Sequence, residues 1–282
     1  DRLAARGTLN RILQQHPTNG AAWLQQADLL ATTGGTDNED QAVAAYRQCL
    51  AHGGPSLPAH AGILSILVER PDLPAAQTQL DALRKAWPQH PRTTYFEALL
   101  ALKAGDLSLA RQAAEKLVNS APAEPVYQRL LGAIALQAGD FSQAEQQLAA
   151  ALKANPGHRA LRQQLALAQL QAGQAAKAVA TLAPLVTPGP ATADVYTLAG
   201  VAALQNSEPA KANALFAAAN RLKPEDSRLR TSIAMGRLGG SDSTAALGEL
   251  QSLASQDAGT EATVALIMVR LQRKEYDLAL KA

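Results

Sequence analysis

The chain has 282 residues, of which 47% are hydrophobic, 18% charged and 4% aromatic, and its net charge is +2. This composition can bury an extended core, excludes a disordered chain and, with few aromatic residues, predicts an all-α fold. The charges of both signs are interspersed without a basic stripe, and no apolar run approaches the ~18 residues of a membrane span, so neither nucleic acid nor a membrane-spanning segment is expected.

Prolines at a constant spacing divide the chain into repeats. Pro122, Pro156, Pro190 and Pro224 follow one another at intervals of 34 residues, and Pro88 extends the series backwards. Because proline ends a helix and 34 residues is the period of a helix–turn–helix unit, each interval is predicted to hold two antiparallel helices. In chain order we predict a lone second helix in 1–19, seven repeats at 20–56, 57–90, 91–124, 125–158, 159–192, 193–226 and 227–259, and the start of another repeat in 260–282.

Both ends of the sequence read as half repeats. Residues 1–16 carry Ala5, Leu9 and Ile12 at the small, large and apolar positions of a second helix, and residues 274–280 begin another second helix. Helical arrays normally end in a polar capping helix, and neither end has one. We therefore expect a segment of a longer protein, whose uncapped ends are available for self-association.

Departures from the repeat fall mainly at turns. The first full repeat is about three residues too long, and the excess lies in 34–40, which we predict to be the exposed turn between its helices. The acidic pair Glu39 and Asp40 is accordingly predicted to be solvated. Pro71 and Ser207 replace the turn glycine of other repeats, and Ala258 replaces a terminal proline.

The repeat 125–158 shows the pattern most clearly. Apolar residues at helical spacing predict a first helix over 127–137, and Gly139 suits the left-handed residue that ends it. A second helix is predicted from about Phe141 to Ala154, and Pro156 ends the repeat. The turn is so short that the two helices must pack antiparallel.

Three positions of the repeat keep a characteristic size. Positions are counted from the first residue of each repeat. Position 8 is Ala98, Gly132, Ala166, Gly200 and Ala234; position 20 is Ala76, Ala110, Ala144, Ala178, Ala212 and Ala246; position 24 is Leu80, Ala114, Leu148, Leu182, Phe216 and Leu250. Small residues let helix backbones approach while large ones fill the space beside them, so all three positions are predicted to be buried. The only cysteine, Cys49, falls at an apolar position and is predicted to be a core residue.

The residues Leu131-Gly132, Ala135, Gly139, Phe141, Ala144, Leu148, Ala151 and Pro156 resemble the tetratricopeptide repeat (TPR) signature. The resemblance covers essentially the whole chain. It implies a right-handed superhelical solenoid whose first helices line a concave surface, and a protein or peptide as the bound partner.

The same resemblance implies that positions 2, 5, 9, 12 and 13 of each first helix face the concave surface. The candidate binding residues are Arg92, Tyr95, Lys103, Arg129, Gln137, Gln163, Gln171, Asp194, Thr197, Gln205 and Arg228. Gln137, Gln171 and Gln205 form a ladder of amides that could serve an extended backbone or the hydroxyls of a polysaccharide, or simply be solvated. The lysine and asparagine clamp that some family members use for a C-terminal carboxylate is absent.

No sequence motif indicates catalysis, a cofactor or a metal. The chain has no zinc-protease, nucleophile-elbow, Walker or dinucleotide-binding pattern. The five histidines (His16, His52, His60, His90 and His158) are scattered, three of them at helix ends one repeat or more apart, so they are not expected to share a metal. Gly34-Gly35 and Gly239-Gly240 are predicted to be turn glycines. A non-enzymatic chain is the expectation.

Segments 99–118, 130–158 and 259–282 are similar to the bacterial TPR lipoprotein of the PEP-CTERM/exosortase system. That resemblance implies an exported, lipid-anchored parent on the periplasmic or outer-membrane side that acts as a scaffold in exopolysaccharide assembly or surface-protein sorting. Two other interpretations stay open: the substrate-recognition arm of a larger enzyme such as a glycosyltransferase, and a cytoplasmic regulatory array.

Overall fold

The computed structural model describes residues 2–70, 72–186, 191–238, 243–255 and 260–281. Every regular element in these ranges is an α-helix, which confirms the predicted all-α class. The chain divides into two compact units, an N-terminal unit (1–138) and a C-terminal unit (139–282).

Antiparallel helices follow one another along both units. The N-terminal unit contains α1 (Arg2–Gln15), α2 (Gly20–Thr33), α3 (Thr36–Ala51), α4 (Ser56–Glu69), α5 (Leu73–Ala86), α6 (Pro91–Ala104), α7 (Leu107–Ser120) and α8 (Pro125–Gln137). The C-terminal unit contains α9 (Phe141–Ala154), α10 (Arg159–Gln171), α11 (Ala175–Val186), α12 (Ala193–Gln205), α13 (Pro209–Leu222), α14 (Ser227–Arg237), α15 (Ser243–Ser255), α16 (Thr260–Gln272) and α17 (Tyr276–Ala279).

In two repeats, a glycine followed by an aspartate makes the turn between the two helices. Gly105 and Gly139 have φ values of 82° and 78°, the left-handed conformation predicted for Gly139. The next residue caps the second helix: Asp106 Oδ1 accepts the Leu109 N–H at 3.0 Å, and Asp140 Oδ1 accepts the Gln143 N–H at 3.2 Å. Ser207, which replaces the glycine, adopts the same left-handed conformation with a φ of 61°.

The three size-conserved positions form the core, as predicted. All the residues listed above at positions 8, 20 and 24 are buried, including the two large side chains Phe216 and Leu148. Cys49 is also fully buried, and burial raises the pKa of its thiol. Alanine and glycine at helix contacts therefore let the backbones approach while leucine and phenylalanine fill the space between repeats.

The predicted turn over 34–40 is wrong. Helix α3 already begins at Thr36, so only Gly34 and Gly35, both with positive φ, separate it from α2. The inserted residues are helical, and Asp37 and Glu39 in the first turn interact favourably with the helix dipole. Glu39 and Asp40 are not simply solvated either: Arg70, which follows α4, contacts Glu39 Oε2 at 3.2 Å and Asp40 Oδ1 at 2.6 Å.

At the N-terminal end, residues 2–15 are helical, with Leu9 buried, Ile12 half-buried and Ala5 exposed. The predictions that concern Pro71, Pro190, Gly239-Gly240 and Ala258 fall outside the described residues.

The first helices of successive repeats contact one another within each unit. Helix α2 contacts α4, α4 contacts α6, and α6 contacts α8 in the N-terminal unit. In the C-terminal unit, α10 contacts α12, α12 contacts α14, and α14 contacts α16. Each unit thus carries a continuous face of stacked first helices, and the grooves described next lie on these faces.

Candidate binding grooves

Groove 2 is a cleft of about 580 Å³ on the first-helix face of the C-terminal unit. Helices α10, α12 and α14 form most of it. Its lining residues are Leu167, Leu170, Gln171, Asp194, Thr197, Leu198, Val201, Gln205, Lys223, Asp226, Arg228, Leu229 and Ser232. Five of the predicted binding residues are among them: Gln171, Asp194, Thr197, Gln205 and Arg228.

The chemistry of groove 2 combines aliphatic side chains with exposed amides. Leu167 is 37% exposed, and Leu198 and Val201 are half-buried, so together they offer an apolar surface. Gln171 and Gln205 are exposed one repeat apart and can each donate and accept hydrogen bonds. An apolar side chain flanked by peptide groups would match both features.

The charged residues of groove 2 are partly paired with one another. Lys223 Nζ lies 3.7 Å from both Asp194 Oδ1 and Asp226 Oδ2, and Arg228 Nε lies 3.2 Å from Glu261 Oε1. The hydrogen bond from the Leu229 N–H lowers the pKa of Asp226, and Lys223 adds to the shift. Exposed ion pairs of this kind contribute little to stability and can exchange for a ligand.

Two predicted residues of the C-terminal unit offer less to a ligand. Thr197 lines groove 2 but is only 7% exposed, and its hydroxyl donates to Ala193 O at 2.9 Å. Gln163 is half-buried on α10 and does not line groove 2.

Groove 1 is a cleft of about 570 Å³ on the first-helix face of the N-terminal unit. Its lining residues are Asp28, Pro58, Ala61, Gly62, Ser65, Arg92, Tyr95, Phe96, Glu124, Val126 and Tyr127. The predicted residues Arg92 and Tyr95 are among them. The Tyr95 and Tyr127 rings have centroids 6.5 Å apart and are tilted by 40°, and Phe96 packs edge-on against Tyr95 at 5.4 Å. Groove 1 is therefore aromatic where groove 2 is aliphatic.

A buried tyrosine supports one wall of groove 1. The Tyr46 hydroxyl donates to Asp28 Oδ1 at 2.6 Å, and Tyr46 itself is only 3% exposed. Burial raises the pKa of Tyr46, and the hydrogen bond to Asp28 and its negative charge raise it further. The ring lies directly on Gly62, where a Cβ would collide with it. Asp28 is exposed and is thus held in place from the core side.

The remaining predicted residues lie outside both grooves. Lys103 lines a smaller cleft of about 350 Å³, where its Nζ is 3.9 Å from Glu69 Oε2. Arg129 is half-buried and Gln137 exposed on α8, and neither lines groove 1. The glutamine ladder is therefore divided: Gln171 and Gln205 share groove 2, whereas Gln137 belongs to the N-terminal unit.

Several groove residues were not among the sequence candidates. Asp28, Leu167 and Val201 all stand at position 9, a position expected to face the groove, so their spacing could have identified them. Tyr127 stands at position 3, which was not expected to face the groove, and its ring lies beside Tyr95 in groove 1. No group of metal-ligating side chains occurs among the described residues, and none of the helices in those ranges is both long and apolar enough to cross a membrane.

Stacked antiparallel helix pairs with open grooves on the first-helix face define a helical repeat protein. Residues 63–125 and residues 135–201 each match a family model described as tetratricopeptide repeat. Among curated protein sequences, none matches the chain significantly.

Solved structures share the fold at low sequence identity. A tetratricopeptide repeat protein from Parabacteroides merdae is 17% identical with a TM-score of 0.60, and the alignment covers 84% of this chain and 92% of that one. PilF from Pseudomonas aeruginosa is 16% identical with a TM-score of 0.55, covering 79% and 92%. A chain of the APC/C heterotetramer Cut9–Hcn1 is 14% identical with a TM-score of 0.70, covering 84% of this chain and 46% of that one.

Residues 63–125 and 135–201 are therefore tetratricopeptide repeats, and the chain has the fold of a tetratricopeptide repeat solenoid. This confirms the predicted fold class. The fold is consistent with a scaffold for protein–protein interaction.

Proposed function

We propose that the chain is a non-catalytic scaffold that holds an extended segment of a partner protein on its first-helix faces. The observation that carries the proposal is groove 2. It collects five of the predicted binding residues in one cleft large enough for several side chains. Small-molecule sites are enclosed and contain few, converging polar groups, whereas this cleft is open and its polar groups are spread along three repeats.

The composition of groove 2 suits a peptide that carries an aliphatic or aromatic side chain. Leu167, Leu198 and Val201 would receive that side chain, and Gln171 and Gln205 would bind the flanking peptide groups. Apolar anchors in a cleft supply most of the energy of such contacts, while amides fix the direction of the chain. The mutually paired Lys223, Asp194 and Asp226 would contribute specificity more than affinity.

We also propose a pathway and a location for this scaffold. The similarity of segments 99–118, 130–158 and 259–282 to the PEP-CTERM/exosortase TPR lipoprotein supports a role in exopolysaccharide assembly or export, or in the sorting of surface proteins. In that setting the parent protein is periplasmic or associated with the outer membrane through a lipoprotein signal, and a polysaccharide is a second ligand of the exposed glutamines. Fractionation of cells that express the full-length protein tests the location.

Site-specific photocrosslinking tests the binding face. A photoreactive phenylalanine analogue is placed at Gln171, in groove 2, or at Gln146, another exposed glutamine, on the second helix α9. Each protein is irradiated in extracts of the source cells, and crosslinked polypeptides are identified by mass spectrometry. We expect crosslinks from Gln171 and far fewer from Gln146.

A second pair of variants tests whether groove 2 supplies the affinity. Leu198→Asp places a charge in the apolar part of groove 2, whereas Gln146→Asp changes the outer face. Loss of the captured polypeptide with Leu198→Asp alone supports the proposal, provided that circular dichroism shows the protein folded. Equal retention by both variants, or crosslinks from Gln146 only, would move the binding surface to the second helices. Competition by the purified exopolysaccharide of the source cells distinguishes a polysaccharide ligand from a protein.

A further inference from the structure

We infer that groove 1 binds a lysine or arginine side chain, held between the Asp28 carboxylate and the rings of Tyr95 and Tyr127. This inference rests on the proposed function, because the cationic side chain belongs to the segment that the scaffold holds. It adds a chemical class to what the N-terminal unit holds, namely a basic side chain in groove 1.

The first support is the orientation of Asp28. Its Oδ1 already accepts a hydrogen bond from the Tyr46 hydroxyl at 2.6 Å, and the Tyr46 ring, which projects from α3, packs on Gly62 of α4. A carboxylate has about four acceptor positions, so one hydrogen bond leaves the others available to a ligand. Asp28 is exposed in the wall of groove 1, and its orientation is set before any ligand arrives. Preorganised acceptors lose less entropy on binding than mobile ones.

The second support is the aromatic pair. Tyr95 and Tyr127 both line groove 1 and are half-buried, with their centroids 6.5 Å apart and their rings tilted by 40°, so part of each ring is accessible from the groove. A cation within about 6 Å of a ring centroid is attracted by the negative face of the ring. The long apolar stem of lysine or arginine can also lie on these rings while its charged end reaches a carboxylate.

The third support is the balance of charge in groove 1. Two carboxylates, Asp28 and Glu124, line it, against one guanidinium, Arg92. Glu124 precedes α8 without capping that helix through its side chain, so its carboxylate is also available. In the described part of the chain no carboxylate forms an ion pair with Arg92. The excess of negative charge favours the binding of a cation, and the positive charge of Arg92 is expected to weaken that binding.

Short peptides of defined charge test the inference directly. The probes are acetylated and amidated pentapeptides with the sequence Gly-Ala-Xaa-Ala-Gly, in which Xaa is arginine, lysine, citrulline or glutamate. Citrulline has the shape of arginine without the charge. Titrations of the isotope-labelled chain, followed by two-dimensional NMR up to 10 mM peptide, are expected to show arginine and lysine binding about tenfold more tightly than citrulline and glutamate.

Three variants separate the roles of the groove residues. The affinity of the arginine peptide divided by that of the citrulline peptide is expected to be about ten in the parent protein and about two in Asp28→Asn. Tyr46→Phe keeps the carboxylate but removes its orienting donor, and should reduce the same ratio by about half. Arg92→Gln removes the opposing charge and should strengthen arginine binding about twofold. Chemical shifts of core amides show that each variant is folded.

Opposite results would overturn the inference. Preference for the glutamate peptide, with binding lost in Arg92→Gln, would mean that groove 1 recognises acidic segments. Equal affinities for arginine and citrulline would leave groove 1 as a peptide site without charge selection, so the proposed scaffold function would survive while this inference failed. No shift of groove 1 resonances with any peptide at 10 mM would also overturn it.

Discussion

Tyr46 in the N-terminal unit and Phe216 in the C-terminal unit occupy equivalent places in their repeats, once the three extra residues of the first repeat are allowed for. Both are buried, 3% and 1% exposed, and each lies on a glycine of a first helix, Gly62 or Gly200. They differ by one hydroxyl group. The Tyr46 hydroxyl donates a hydrogen bond to Asp28 in groove 1. The Phe216 ring has no hydroxyl, and the Arg237 guanidinium carbon lies over it, 5.3 Å from the ring centroid.

The comparison shows how one core position can have two uses. In the C-terminal unit the aromatic residue packs in the core behind Leu229 and Val201 of groove 2, but it orients no polar group of that groove. In the N-terminal unit the same position also orients a carboxylate of groove 1. Changing the hydroxyl at this position should therefore change binding in the N-terminal unit and stability alone in the C-terminal unit, and the following predictions test that difference.

The largest expected effect is the loss of either ring. Phe216→Ala and Tyr46→Ala should each lower the free energy of unfolding by about 3–5 kcal/mol, because each leaves a cavity beside a glycine that cannot fill it. Both tryptophans, Trp23 and Trp87, lie in the N-terminal unit, so guanidinium unfolding followed by fluorescence reports that unit, and hydrogen exchange in α12 and α13 reports the other. Leu222→Ala, at a side chain that is 53% exposed, is the control and should change little.

A smaller effect is expected from filling the glycine beneath the ring. Gly200→Ala should destabilise the C-terminal unit by about 1–3 kcal/mol, since its Cβ would collide with Phe216. Two other repeats combine alanine at position 8 with leucine at position 24, namely Ala166 with Leu182 and Ala234 with Leu250.

The double variant Gly200→Ala with Phe216→Leu reproduces that combination and should recover part of the lost stability. Thermal unfolding of the two single variants and the double variant measures the coupling. Strictly additive losses would show that the ring and the glycine are not a matched pair.

The pairing of large and small residues was accessible from the sequence, because a 34-residue period places equivalent side chains at equivalent contacts. The same period predicted Phe141–Ala154 as a helix, the observed bounds of α9. The period gave the wrong prediction at 34–40, where an insertion interrupts it. There the start of α3 at Thr36 depends on the local sequence and not on the repeat.

The candidate sites were less predictable than the fold. The resemblance to tetratricopeptide repeats implied that Gln171, Asp194, Gln205 and Arg228 share one face, and they do share groove 2. Arg129 stands at the same repeat position as Tyr95 yet lines neither groove, because the depth of a cleft depends on the sizes of neighbouring side chains and not on position. The Tyr46–Asp28 hydrogen bond depends on the relative rotation of α2 and α3, which the repeat pattern does not encode.

Exchanging the hydroxyl between the two positions gives the most direct test of the comparison. Tyr46→Phe removes a hydrogen bond and should lower the free energy of unfolding by about 1 kcal/mol. Phe216→Tyr should lower it by about as much for a different reason, since it adds a hydroxyl to a ring that is only 1% exposed. Only Tyr46→Phe should alter peptide binding, and only at groove 1. Denaturant unfolding combined with the peptide titrations checks both effects, and a change in groove 1 binding caused by Phe216→Tyr would contradict the assignment.

The smallest expected effect appears only at alkaline pH. Burial, followed by the hydrogen bond and charge of Asp28, raises the pKa of Tyr46 in the folded protein above the value of about 10 that applies in the unfolded chain. The unfolded state therefore releases this proton first, so the stability contributed by Tyr46 is complete below pH 10 and declines as the pH rises further. The other four tyrosines are common to the parent protein and Tyr46→Phe, so the difference in unfolding midpoint between these two isolates Tyr46. That difference should be constant between pH 7 and about pH 9 and should shrink above about pH 10. The corresponding difference between the parent and Phe216→Leu should not depend on pH in this way, because no titrating hydroxyl is lost. If both differences declined in parallel, the alkaline effect would come from general repulsion among charges and not from Tyr46, the tyrosine that links the core to groove 1.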